Sequence, residues 1–79
     1  MLVALQALGA TISDDRRAQR LLKMSGLDPS DLRQRAGDPA LLAAVLRFLE
    51  AHEPDLVAVA EAIGRDPAEL VAARTALEA

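Results

Sequence analysis

Cysteine, tryptophan and tyrosine are missing from this 79-residue chain, and Phe48 is its one aromatic residue. Without thiols there is no disulfide framework, no cysteine nucleophile and no thiolate zinc site, so stability rests on burial alone. Val and Ile together number seven against seventeen Ala and fourteen Leu, a balance rich in helix formers and poor in the residues strands favour. Glycines number four and never cluster, which leaves no phosphate-cradling loop and no dinucleotide fingerprint. With one histidine and no Asp-x-Asp-x-Asp-Gly loop, the chain is expected to hold no metal and no cofactor. No apolar run reaches the roughly 18 residues a membrane span needs. The apolar start from Met1 to Ile12 also lacks the basic leader of a secretory signal. The expectation is a cytoplasmic chain with no membrane partner.

What is present describes a folding chain. Its residues are 52% apolar and 27% charged, which removes disorder as a class, and the length allows one domain over residues 1–79. Charge is uneven. Residues 1–35 hold six bases and four acids, while residues 36–79 hold eight acids and only Arg47, Arg65 and Arg74. A net acidic chain is repelled by phosphate backbones unless its bases gather on one face. Arg16, Arg20 and Lys23 are spaced to form such a stripe on a helix, with Arg17 beside it. The simpler reading is a solvated polar face, and no ligand for that stripe is assigned.

Punctuation divides the chain into helices. Three times a glycine shortly precedes Asp-Pro, at Gly26 with Asp28-Pro29, Gly37 with Asp38-Pro39, and Gly64 with Asp66-Pro67. Each is read as a left-handed glycine closing one helix, an Asp capping the next and a Pro at its first position. The blocks are spaced too irregularly for a solenoid. Ser13 is expected to cap the second helix, and Glu69 to complete a capping box with Asp66. Leu27 is expected to staple onto Leu32. Glu53-Pro54 opens a further helix. The pattern predicts an all-α bundle of about six short helices near 2–11, 14–25, 29–36, 39–52, 54–63 and 67–78, with no strand.

Apolar faces rank these helices by burial. The fourth carries Leu41, Leu42, Val45, Leu46, Phe48 and Leu49, wider than one amphipathic stripe, and is expected at the centre. Single seams follow on the second helix (Ala18, Leu21, Leu22, Ser25), the fifth (Leu56, Val59, Ala60, Ile63) and the sixth (Leu70, Val71, Arg74, Leu77). The first helix is different. Only Gln6 and Thr11 are polar between Met1 and Ile12, so the segment needs more cover than so small a domain supplies. Leu2, Val3, Leu5, Leu8 and Ile12 are therefore the candidate partner-binding residues, for self-association or another protein.

The blocks Leu5-Gln6-Ala7-Leu8, Ser25-Gly26-Leu27-Asp28-Pro29-Ser30-Asp31-Leu32-Arg33, Ala36-Gly37-Asp38-Pro39, Leu42-Ala43-Ala44-Val45-Leu46 and Phe48-Leu49 resemble a family of short all-helical bacterial proteins classed only as a domain of unknown function. The resemblance covers essentially the whole chain, and the two Gly/Asp-Pro blocks eleven residues apart are its most distinctive part. It implies an all-helical fold and brings no activity, cofactor or catalytic residue. Members commonly begin earlier, which implies a shortened N-terminus here, and they carry an acidic pair where this chain has His52-Glu53.

No constellation points to catalysis. His52, the only imidazole, lies between Glu50 and Glu53 and is better placed in the last turn of a helix, against the negative end of its dipole, than as an acid or base. Ser13, Ser25 and Ser30 read as cap and turn residues, since none sits in a glycine-flanked elbow. The expectation is no enzyme and no small-molecule substrate. The alternative is a helix-turn-helix over residues 57–77, with Gly64 in its turn and Leu70-Val71 packing the second helix. That second helix offers Arg74 as its one base, where base-edge and phosphate contacts need several, so nucleic acid is disfavoured. The expected function is protein interaction through apolar helix packing.

Overall fold

Asp14 breaks what would otherwise be one long N-terminal helix. Its backbone sits at φ −103°, ψ 119°, and its carboxylate accepts from the Arg17 N–H at 3.0 Å. The expected Ser13 cap is therefore displaced by one residue. Ser13 ends the first helix, where its hydroxyl donates to the Ala10 carbonyl at 2.9 Å. A carboxylate accepts more strongly than a hydroxyl from a helix N-terminus, so Asp14 takes the cap.

The computed structural model describes residues 2–79. Its elements are α1 (Leu2–Ser13), α2 (Asp15–Ser25), α3 (Pro29–Gln34), α4 (Pro39–Glu50), α5 (Glu53–Ala62) and α6 (Pro67–Glu78), with no strand among the described residues. Four helices begin with Pro in their first turn, where its missing N–H loses no needed donor. The caps between them differ from the sequence reading in detail. Gly26 and Gly64 take positive φ of 72° and 69°, whereas Gly37 does not, and α3 instead ends through the Arg35 N–H donating to the Asp31 carbonyl at 2.9 Å. At Gly64 the closure is a full Schellman pair, Arg65 N–H to Ala60 O and Gly64 N–H to Glu61 O. The capping box forms at Asp28 and Asp31, each side chain accepting from the other's N–H, at 2.8 and 3.2 Å. It does not form at Asp66, whose side chain makes no cap bond, and Glu69 turns instead toward Arg65 at 3.8 Å. The shorter carboxylate of Asp31 meets its partner's N–H while Glu69 has a cation within reach.

The core is built on α4. Leu41, Leu42, Val45, Leu46 and Leu49 are buried, and α6, α1 and α5 pack around them. Leu32 of α3, Val59 and Ala60 of α5 and Leu70 of α6 complete the interior. Phe48 is only half-buried, so the α4 band is narrower than its sequence suggests. Leu27 packs on the same core as Leu32, as the staple reading requires. Ser25, placed on the α2 seam by its spacing, is exposed and accepts from the Leu27 N–H. A Cα radius of gyration of 11.1 Å compares with about 12 Å for a compact chain of this length. No helix among the described residues is long and apolar enough to cross a membrane.

Candidate interaction face

α1 sets small residues against the core. Ala4, Ala7, Leu8 and Thr11 are buried, and the Thr11 hydroxyl, fully enclosed, donates to the Ala7 carbonyl at 2.7 Å. Small side chains let the α1 axis approach α4 and α6 closely. The opposite side of α1 is only partly covered by the other described residues. Leu2, Leu5 and Ile12 remain 63%, 38% and 39% exposed, and Gly9 lies between Leu5 and Ile12 on the same line. Positions 2, 5, 9 and 12 follow the 3-4-3 spacing of a helix seam and fall within about 80° of arc at 100° per residue. Of the five candidate partner residues, the structure thus keeps Leu2, Leu5 and Ile12 on one open face. It places Leu8, 5% exposed, in the core, and packs Val3 against that core half-buried. The all-round apolar reading of the segment missed this division because leucine occurs on both faces, Leu8 inward and Leu2 and Leu5 outward.

Gly9 was passed over by the sequence reading, and it is the distinctive residue of the face. A Cβ built there meets nothing within 4 Å, and its φ is not in the left-handed region. Neither packing nor backbone geometry of the monomer requires glycine in the middle of this helix, where it costs up to about 1 kcal/mol relative to Ala.

The basic stripe does not survive as a stripe. Asp55, in the first turn of α5 and 7% exposed, draws Arg20 to 2.5 Å of Oδ2 and Arg17 to 3.6 Å of Oδ1. Arg17 also donates to the Ala10 carbonyl at 3.3 Å, one of the open acceptors at the end of α1. Arg16 and Lys23 remain exposed. The cross-helix pairing depends on a tertiary approach that spacing does not encode.

The helix-turn-helix segment is engaged in a similar way. Arg74 of α6 is bound by Glu50 of α4 and by Glu78 at 2.6 Å, and Arg47 closes the group with two bonds to Glu78 at 2.5 and 2.9 Å. The Arg47 guanidinium, helped by Arg74, holds the Glu78 carboxyl below the ordinary range, and Glu50 followed by Glu78 raises Arg74. The exposed side of α6 presents Ala68, Glu69, Ala72, Thr75 and Ala76. His52 is not in the last turn of α4 but at the N-cap of α5, exposed and making no side-chain cap bond.

No curated protein and no solved structure matches the chain. The family described as a protein of unknown function, DUF3572, matches residues 1–79, and this all-helical chain belongs to that family.

Proposed function

We propose that this protein is a non-enzymatic interaction module that binds a second copy of itself across the exposed face of α1. The observation that carries the reading is the line Leu2, Leu5, Gly9, Ile12, three apolar side chains flanking a glycine that the monomer does not need. Two such faces crossing at Gly9 bring backbones close and shield the side chains on either side, and a two-fold contact of this kind is self-complementary and closed. One twelve-residue helix offers less than the roughly 800 Å² per partner of a standard interface, so the dimer is weak and reversible, with micromolar affinity or poorer.

The DNA-binding alternative keeps its helix-turn-helix spacing but is further disfavoured by its charges. The one base on the would-be recognition helix is neutralised by two carboxylates, and Glu69 lies on the face that would meet phosphate. A cytoplasmic setting is part of the proposal, resting on the sequence features above.

Sedimentation velocity from micromolar to millimolar protein tests the reading, on the wild type and on Leu5→Glu/Ile12→Glu. The expected result is a concentration-dependent shift toward a dimer that the double variant abolishes while keeping its helical circular dichroism. A wild type that stays monomeric throughout, or a dimer indifferent to the two substitutions, overturns it.

A further inference from the structure

A separate concavity lies away from α1, between the C-terminal half of α2, the turn and helix that follow it, and the outer side of α4. It is an open cleft of about 520 Å³, and its wall includes Leu21, Leu27, Leu32, Leu41, Val45 and Phe48. Met24, 74% exposed, stands at its edge. Two cations, Arg35 and Arg47, line it, and none of its described lining residues is a carboxylate.

The two guanidiniums are not equally available. Arg47 gives Nε and Nη2 to Glu78. Arg35 gives only Nη2, to Asp38 at 3.1 Å, and its side chain is about half exposed. An exposed pair of that kind holds little energy and yields readily to a second carboxylate. The remaining donors of Arg35 form part of a fork suited to one.

We propose that this cleft binds a singly anionic, single-chain amphiphile, of the class of a medium-chain carboxylate. The alkyl chain lies along Met24, Leu27, Ala44 and Phe48, lining residues that keep accessible surface, and the carboxylate meets the Arg35 guanidinium. Three features select this class. The cleft volume falls within the 300–1,000 Å³ range typical of small-ligand sites. The accessible wall, Leu27, Ala44 and Phe48, is apolar and is joined by Met24, whose unbranched thioether adapts to irregular shapes. The two charged side chains that line the cleft are both cations, and although each is paired with a carboxylate outside it, the unengaged Arg35 donors favour an anionic head over a cationic one. The inference does not depend on the α1 reading, because none of the α1 face residues lines the cleft.

The test is an amide- and methyl-resolved NMR titration of the intact protein with octanoate, decanoate and decyltrimethylammonium, each kept below micelle formation, and with decanol within its solubility. The expected result is saturable decanoate shifts at Met24, Leu27, Ala44 and Phe48. Each methylene added between octanoate and decanoate tightens binding about two- to fourfold. Arg35→Gln weakens decanoate about three- to tenfold and leaves decanol unchanged. Ala44→Phe, at an exposed position lining the cleft, fills it and abolishes the shifts while helical content is retained. The proposal is overturned if decanoate produces no saturable shift, if the cationic amphiphile binds as well, or if the shifts map to Leu2, Leu5 and Ile12. It is equally overturned if a Leu- and Glu-rich helical peptide saturates the same amides at lower concentration than decanoate does.

Discussion

Arg20 Nη2 of α2 lies 2.5 Å from Asp55 Oδ2 of α5, and this pair decides what becomes of the basic half of the chain. Asp55 is the third residue of α5, where a carboxylate is favoured by the helix dipole, and it is buried between Arg17 and Arg20. The positive N-terminal and negative C-terminal halves therefore meet inside one molecule.

Removing the carboxylate leaves Arg20 without a counter-charge and Arg17 with Asp14 alone, at 3.6 Å. Asp55→Ala is expected to lower unfolding stability by about 2 kcal/mol in urea or guanidinium titrations. Arg20→Gln should lose clearly less, because Arg17 remains beside the carboxylate. Equal losses for the two variants would remove Asp55 as the centre of the arrangement.

Gly9→Ala separates the needs of the monomer from those of the assembly. The added methyl group has open space on every side in the monomer, so the variant should be more stable to denaturant by about 0.5–1 kcal/mol. At millimolar protein it should associate less than the wild type, since the methyl group holds the two helices apart. A variant that is more stable and dimerises equally well would show that Gly9 plays no part in the contact.

The caps are expected to rank by their bonds, not by their sequence motif. Asp28→Ala loses the bond its carboxylate accepts from the Asp31 N–H, while the backbone bond from position 28 to the Asp31 carboxylate remains, and should cost about 1 kcal/mol. Asp66→Ala, at a site that reads as a better capping box from sequence, should cost less, because Asp66 makes no such bond. Thermal melts of the two single variants check the order.

Acid should destabilise the fold over a defined range. The Arg47 and Arg74 bonds depress Glu78 below its usual 4.5, and bonds from the Arg35 side chain to Asp38 and from the Arg17 backbone to Asp14 depress both below 3.8. Each contribution is fully present above the unfolded value and is lost as pH falls through the lower folded one. Denaturation midpoints are therefore expected to be level from about pH 5.5 to 8 and to decline below about pH 4.5. Glu78→Gln should make that decline shallower. A midpoint that rises on acidification would contradict these pairings.

The helical architecture was legible because its signals are local. Gly26, Asp28-Pro29, Asp38-Pro39 and Asp66-Pro67 mark boundaries through backbone preferences that act within four residues, and the leucines of α4 repeat with the period of a helix face. What the sequence left open depends on tertiary approach. Whether Leu8 or Leu5 faces inward depends on the rotation of α1 against α4 and α6, which an almost wholly apolar segment does not specify. Arg20 and Asp55 are thirty-five positions apart, and only the packing of α2 near α5 brings them together. The cleft beside Phe48 was concealed for the same reason, since a half-buried aromatic on a leucine-rich helix reads as core.

The chain has no cysteine, so a single introduced thiol reports on one position alone. The most direct measurement of the central claim is the rate of intermolecular disulfide formation in Gly9→Cys, compared with Thr75→Cys on the exposed side of α6, under mild oxidation at equal protein concentration. The Cys side chain loosens the contact as the Gly9→Ala methyl does, but two α1 faces that meet at position 9 still bring the thiols together in each transient encounter and the disulfide traps it, so Gly9→Cys should cross-link several times faster, and Leu5→Glu in the same chain should abolish the difference. Equal rates at positions 9 and 75 would contradict the account.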